Sequence, residues 1–120
     1  MSDIITVYHY PKCSSCREAL AFLRENEVAF KAIDISQRPP SKQELREMIA
    51  RQGGIRPLFN TSGKSYREGG FSEKLASMSE DDALAALSQD GMLVKRPFVL
   101  TKDYALLGFK VEQWRAIAKH

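Results

Sequence analysis

The chain has 120 residues, 43% hydrophobic and 28% charged, with a formal net charge of +3. This suits one globular domain (1–120) with enough apolar material for a core that needs no disulfide or metal to hold it. Residues 1–60 carry nine basic and seven acidic side chains and residues 61–120 carry nine and eight, so no basic block exists for direct nucleic-acid binding.

The opening "MSDIITVYHYP" has neither the basic nor the apolar region of a signal peptide. It reads as the start of the fold. Residues 4–10 are β-branched and aromatic and stop at Pro11, which predicts a buried strand. From Cys13 the period becomes helical: Cys16, Ala19, Leu20 and Leu23 share one face, and the helix is expected to end near Asn26. Residues 28–35 alternate and predict a second strand, so the first third is a βαβ unit with parallel strands.

"SQRPP" (36–40) is a loop, and "SKQE" (41–44) is a capping box with Ser41 as N-cap and Glu44 reaching back. The helix behind it is expected to bury Leu45, Met48 and Ile49 and to stop at Gly53-Gly54. Residues 55–70 are mixed, with a turn at Ser62-Gly63; "FNTSG" (59–63) is either an anion-binding turn or a structural stop, and the structural reading is preferred. Two helical pieces follow, "SEKLASM" and "SEDDALAALSQDG", the second with three acids complementing its dipole. "RPFVLTKDYALLGF" (96–109) reads as an antiparallel hairpin turning at Lys102-Asp103. A last helix is expected to turn Val111, Trp114, Ile117 and Ala118 inward, and Phe98 and Phe109 are assigned to the core with Trp114.

The order predicts an α/β fold: a thioredoxin-like mixed four-stranded sheet flanked by helices, with a helical insertion at about 37–94 after the second strand. No stretch approaches the ~20 apolar residues of a membrane helix. A cytoplasmic setting is expected, where a close cysteine pair is more often redox-active or metal-binding than a structural disulfide.

The two cysteines, Cys13 and Cys16, stand in "HYPKCSSCRE" at the start of the first helix. At that spacing they share one helix face, so a reversible disulfide needs little backbone change. Cys13 faces the unsatisfied N–H groups and the positive end of the dipole, which lowers its pKa, and Lys12 and Arg17 are near in sequence. Cys16, one turn deeper, fits a resolving thiol. Two other readings stay open. A zinc site has only Cys13, Cys16, His9 and His120 to draw on, and two of these sit at unpromising places. An inert, buried pair is the second alternative.

Arg96-Pro97 precedes the third strand. A cis bond there would present backbone toward the cysteines and fix a cation beside an anion; the plainer reading is an edge-strand proline next to a solvated arginine. Cys13 and Cys16 are the catalytic candidates. Lys12, Ser14, Ser15, Arg96 and Pro97 are the substrate-binding candidates. No bound cofactor or metal is expected, and the chain is expected to act as a monomer.

"YPKCSSC", "PPSKQEL", "FNTSGKSYRE", "DGMLVKRPFVL" and "LLGFK", in that order, resemble the arsenate reductase/Spx/MgsR family of thioredoxin-like proteins over about residues 4–115. The resemblance implies that Cys13 is the nucleophile and that Arg96-Pro97 is the arginine–cis-proline pair. It implies three alternatives for activity. The first is thiol–disulfide exchange, with a small thiol, disulfide or oxyanion as substrate and glutathione, glutaredoxin or thioredoxin as partner or co-substrate. The second is an Spx-like redox switch that binds RNA polymerase. The third is arsenate reduction coupled to glutathione or glutaredoxin. Of the three arginine positions that hold the oxyanion in arsenate reductases, only Arg96 is matched; the others fall on Asn60 and Phe109. Cys16 adds a resolving thiol that those enzymes lack there.

Overall fold

A computed structural model describes residues 4–118. The chain forms two compact units, one from the residues up to Asp34 together with those from Arg96 onward, the other from Ile35–Lys95.

The first unit holds a mixed four-stranded sheet in the order β2-β1-β3-β4. Strand β1 (Ile5–His9) runs parallel to β2 (Phe30–Asp34), with Ile5 opposite Phe30 and His9 opposite Asp34. On its other side β1 pairs antiparallel with β3 (Phe98–Leu100), Val7 facing Val99 and Tyr8 facing Phe98. β3 then hairpins into β4 (Ala105–Leu107). Thr101 fixes the turn: its hydroxyl accepts from the N–H groups of Asp103 and Tyr104 at 3.2 and 2.9 Å.

Alternate residues of a strand point to opposite faces. Val7, Val99 and Leu106 therefore share a core with Ala19, Leu20 and Leu23 of α1 (Ser14–Glu25) and Trp114 and Ile117 of α6 (Val111–Ala118). Tyr8 and Phe98 point the other way and meet edge to face at 5.7 Å. The Trp114 indole N–H, fully buried, donates to the Gly108 carbonyl at 3.1 Å, so its burial leaves no polar group unsatisfied.

The second unit contains α2 (Lys42–Gln52), α3 (Lys64–Glu68), α4 (Phe71–Lys74) and α5 (Glu80–Gln89). Both halves of the expected capping box form, Ser41 Oγ accepting from Glu44 N–H at 3.1 Å and the Glu44 carboxylate accepting from Ser41 N–H at 2.9 Å. α2 ends on Gly53 in the left-handed region at φ 80°. Ser79 caps α5 by accepting from Asp82 N–H at 3.1 Å. Phe59 bridges Val94, and its ring packs against Tyr66 and Phe71. Gly91 is buried so close to Ile35 that a Cβ there would overlap the Ile35 carbonyl.

One detail departs from the sequence reading and two are sharpened. Val111 opens α6 and is 37% exposed, because the inward face begins one turn later at Trp114. Phe109 is half-buried and packs against the core beside Trp114 as expected, its ring set between Phe22 and Trp114. "FNTSG" begins where a short 3-10 turn, Arg56–Leu58, ends on Phe59; it then turns, Gly63 N–H to Asn60 carbonyl at 3.1 Å, and leads into α3.

Candidate functional site

The local sequence places Cys13 outside the helix and Cys16 inside it. Cys13 is the N-cap of α1, extended at φ −92° and ψ 119°. Its N–H is held by the Tyr10 carbonyl at 3.0 Å, and its own carbonyl receives Arg17 N–H at 3.1 Å as the helix begins. Its sulfur takes the position of a capping oxygen and accepts from Cys16 N–H at 3.4 Å. The Ser15 hydroxyl lies 3.9 Å from the same sulfur; the thiol donates to it, and the rotor turns to donate once the thiol ionises.

Cys13 is half-buried, Cys16 is fully buried, and both are free thiols. Their acidities separate. Burial works against charge on Cys13, but hydrogen bonds from the Cys16 thiol, the Cys16 N–H and Ser15, with the charge of Arg96, outweigh it and lower its pKa. Burial pushes Cys16 up to about 12, helped by the hydrogen bond it gives Cys13 and by the Cys13 charge; a backbone hydrogen bond from Tyr10 and the Arg96 charge offset this only in part. Cys13 therefore loses its proton more readily than Cys16, the order that suits an attacking and a waiting thiol.

Arg96 and Pro97 are joined by a cis peptide bond directly before β3. The cation acting on the sulfurs is thus Arg96, distant in sequence, while the sequence neighbours Lys12 and Arg17 are exposed. The Arg96 guanidinium lies 5.3 Å from the centre of the Tyr10 ring. In the sequence Tyr10 is marked only as the end of a strand, an aromatic residue just before "PKC". Ser14, the first residue of α1, is exposed like Lys12. Among the described residues no three His, Cys, Asp or Glu side chains gather to hold a metal; His120, one of the ligands considered, lies outside those residues.

A mixed sheet in this strand order, with a C-x-x-C pair at the mouth of its first helix and a cis-proline before β3, defines a thioredoxin-like protein. The chain belongs to the ArsC family, whose model matches residues 8–117. It is 43% identical over 111 residues to the uncharacterized protein YusI of Bacillus subtilis (strain 168), covering 92% of this chain and 94% of that one. It is 29% identical over 114 residues to the global transcriptional regulator Spx of Streptococcus agalactiae serotype V, covering 94% and 82%. An arsenate reductase structure from Vibrio cholerae superposes with a TM-score of 0.82 at 28% identity, over 98% of this chain and 99% of that one. Among the described residues no helix is long and apolar enough to cross a membrane.

Proposed function

We propose that the protein is a thiol–disulfide oxidoreductase. The observation that carries this reading is two free thiols one helix turn apart, Cys13 as the N-cap of α1 with its sulfur on Cys16 N–H and Cys16 buried behind it, an arrangement that lowers the pKa of Cys13 and raises that of Cys16. Cys13 thiolate attacks one sulfur of a substrate disulfide; a Cys13 mixed disulfide forms and the other half leaves as a thiolate. Cys16 then gives up its proton and attacks the Cys13 sulfur. The Cys13–Cys16 disulfide forms, and the second substrate thiol is released. Two electrons pass from the pair to the substrate, and an external thiol such as glutathione, glutaredoxin or thioredoxin returns them. Lys12, Ser14, Ser15, Arg96 and Pro97 border the nucleophile's turn and the cis bond, and bind the substrate. The reading places the protein in the cytoplasm, as a monomer without a bound cofactor.

The test is a glutathione-coupled assay with a small disulfide, using Cys13→Ser as control. Turnover above the control is expected; equal rates for the two proteins remove the reading.

The similarity to Spx over most of the chain favours a second reading, a redox-responsive regulator that binds RNA polymerase. Purified polymerase, captured with and without reductant, separates it from an enzyme. Arsenate reduction has less support. A bound oxyanion needs several charge-assisted hydrogen bonds, and Phe109 offers an aromatic ring packed on Phe22 and Trp114.

A further inference from the structure

We propose that Tyr10 is a positioning residue for this exchange: its ring seats the Arg96 guanidinium beside the Cys13–Cys16 pair. The proposal rests on Cys13 being the attacking thiol, and its support is geometric. β1 and β3 pair antiparallel with Tyr8 opposite Phe98, β1 ends at His9 and β3 begins at Phe98, so Tyr10 and Arg96 both lie just beyond the same end of the pair. The guanidinium carbon stands 5.3 Å from the ring centre, within the ~6 Å reach of a cation–π contact. The main chain of Tyr10 faces both cysteines as well. Its carbonyl holds Cys13 N–H at 3.0 Å, and its backbone hydrogen-bonds Cys16. One residue thus locates the nucleophile, the resolving thiol and the cation relative to each other.

An arginine side chain has many rotamers, and a planar ring face selects those in which the guanidinium lies flat against it. Arg96 is half-buried, so its charge is less screened than that of exposed Lys12 or Arg17. Holding that charge still favours the Cys13 thiolate. The ionisable groups acting on Cys13 are Cys16 and Arg96. The backbone contacts of Tyr10 to the cysteines do not depend on its side chain, so the ring's own effect on Cys13 is assigned to its contact with Arg96.

Alkylation of Cys13 by iodoacetamide against pH, with the modified residue identified by mass spectrometry, tests this without requiring turnover. Tyr10→Leu is expected to move the midpoint upward and slow the reaction at pH 7 about threefold, the scale of one cation–π contact. Arg96→Met should do the same, and the double variant should be no slower than Arg96→Met alone. Tyr10→Phe keeps the ring and should match the wild type. An unmoved midpoint in Tyr10→Leu, full additivity with Arg96→Met, or a Tyr10→Phe as slow as Tyr10→Leu overturns the assignment. If Tyr10→Leu does not fold, the wild type still decides. NMR should then show cross-peaks between the Tyr10 ring and the Arg96 side chain, and their absence overturns the proposal. A protein that passes these tests but reduces no disulfide retires the oxidoreductase reading and leaves the Tyr10–Arg96 seat intact.

Discussion

Helix α1 of the sheet unit and helices α2 and α5 of the other unit begin in the same way with different atoms. In the unit of Ile35–Lys95, α2 and α5 are capped by the hydroxyl oxygens of Ser41 and Ser79, each 3.1 Å from the N–H it receives. In the sheet unit, α1 is capped by the Cys13 sulfur, 3.4 Å from Cys16 N–H. An oxygen cap satisfies a donor and does nothing more. A sulfur cap in the same position can ionise, and the helix end that it caps then stabilises the charge. The difference teaches that a reactive thiol requires little special architecture: it replaces a serine at a position the chain already uses twice elsewhere.

Exchanging the atom is the strongest way to break the comparison. Cys13→Ser restores the oxygen cap. Disulfide turnover is expected to fall on the order of a thousandfold or more, while thermal melting stays at or above the wild-type temperature. A Cys13→Ser protein that melts well below the wild type would show that the sulfur is not serving as a cap.

The pH dependence of stability comes next, since oxygen caps do not titrate and the two thiols do, with opposite signs. Cys16 holds its proton to about 12 in the folded chain against 9.0 for an ordinary thiol. Above that ordinary value the unfolded chain gives up the proton and the folded chain keeps it. Stability is therefore lost as pH rises between the two. Cys13 is lowered, so its contribution is fully present above the ordinary thiol range and is lost as pH falls through its folded value. Urea unfolding of the reduced protein between about pH 9 and 11 should show a steeper alkaline loss in the wild type than in Cys16→Ala. Equal slopes would contradict the burial assigned to Cys16.

The second unit allows two smaller tests. Gly91→Ala forces a Cβ against the Ile35 carbonyl and is expected to destabilise by about 1 to 3 kcal/mol in urea; a neutral result would mean that the backbone there yields easily. Ser41→Ala and Ser79→Ala should each cost about 1 kcal/mol. Cys13→Ala, compared with Cys13→Ser, should differ by a similar amount if sulfur and oxygen fill the same role.

Much of this was legible where the cause is local. The capping box at Ser41 and Glu44, the glycine stop at Gly53 and the placement of Cys13 before a helix all depend on residues within four positions of each other. The Arg96-Pro97 bond drew attention because proline alone makes a cis bond cheap. What was missed depends on partners remote in sequence. α3, five residues long, is too short for a periodic signal. Val111 has the right spacing for the inner face but lies on the first turn of α6, where exposure depends on how the helix meets the sheet. The Tyr10–Arg96 contact arises only when β1 and β3 pair, so the sequence offered Arg96 as a cation but not the ring it rests against.

Trp114 is the single tryptophan of the chain, with its indole fully buried beside Phe109 and its N–H tied to the Gly108 carbonyl. The sheet unit thus contains its own optical label. Emission from an indole in such dry surroundings lies toward the blue and moves to the red when water enters. A fluorescence trace therefore follows the opening of the Val7–Leu23–Trp114 core in particular, without dye or tag, and the variants of the sheet unit described above can be judged by whether that core opens sooner.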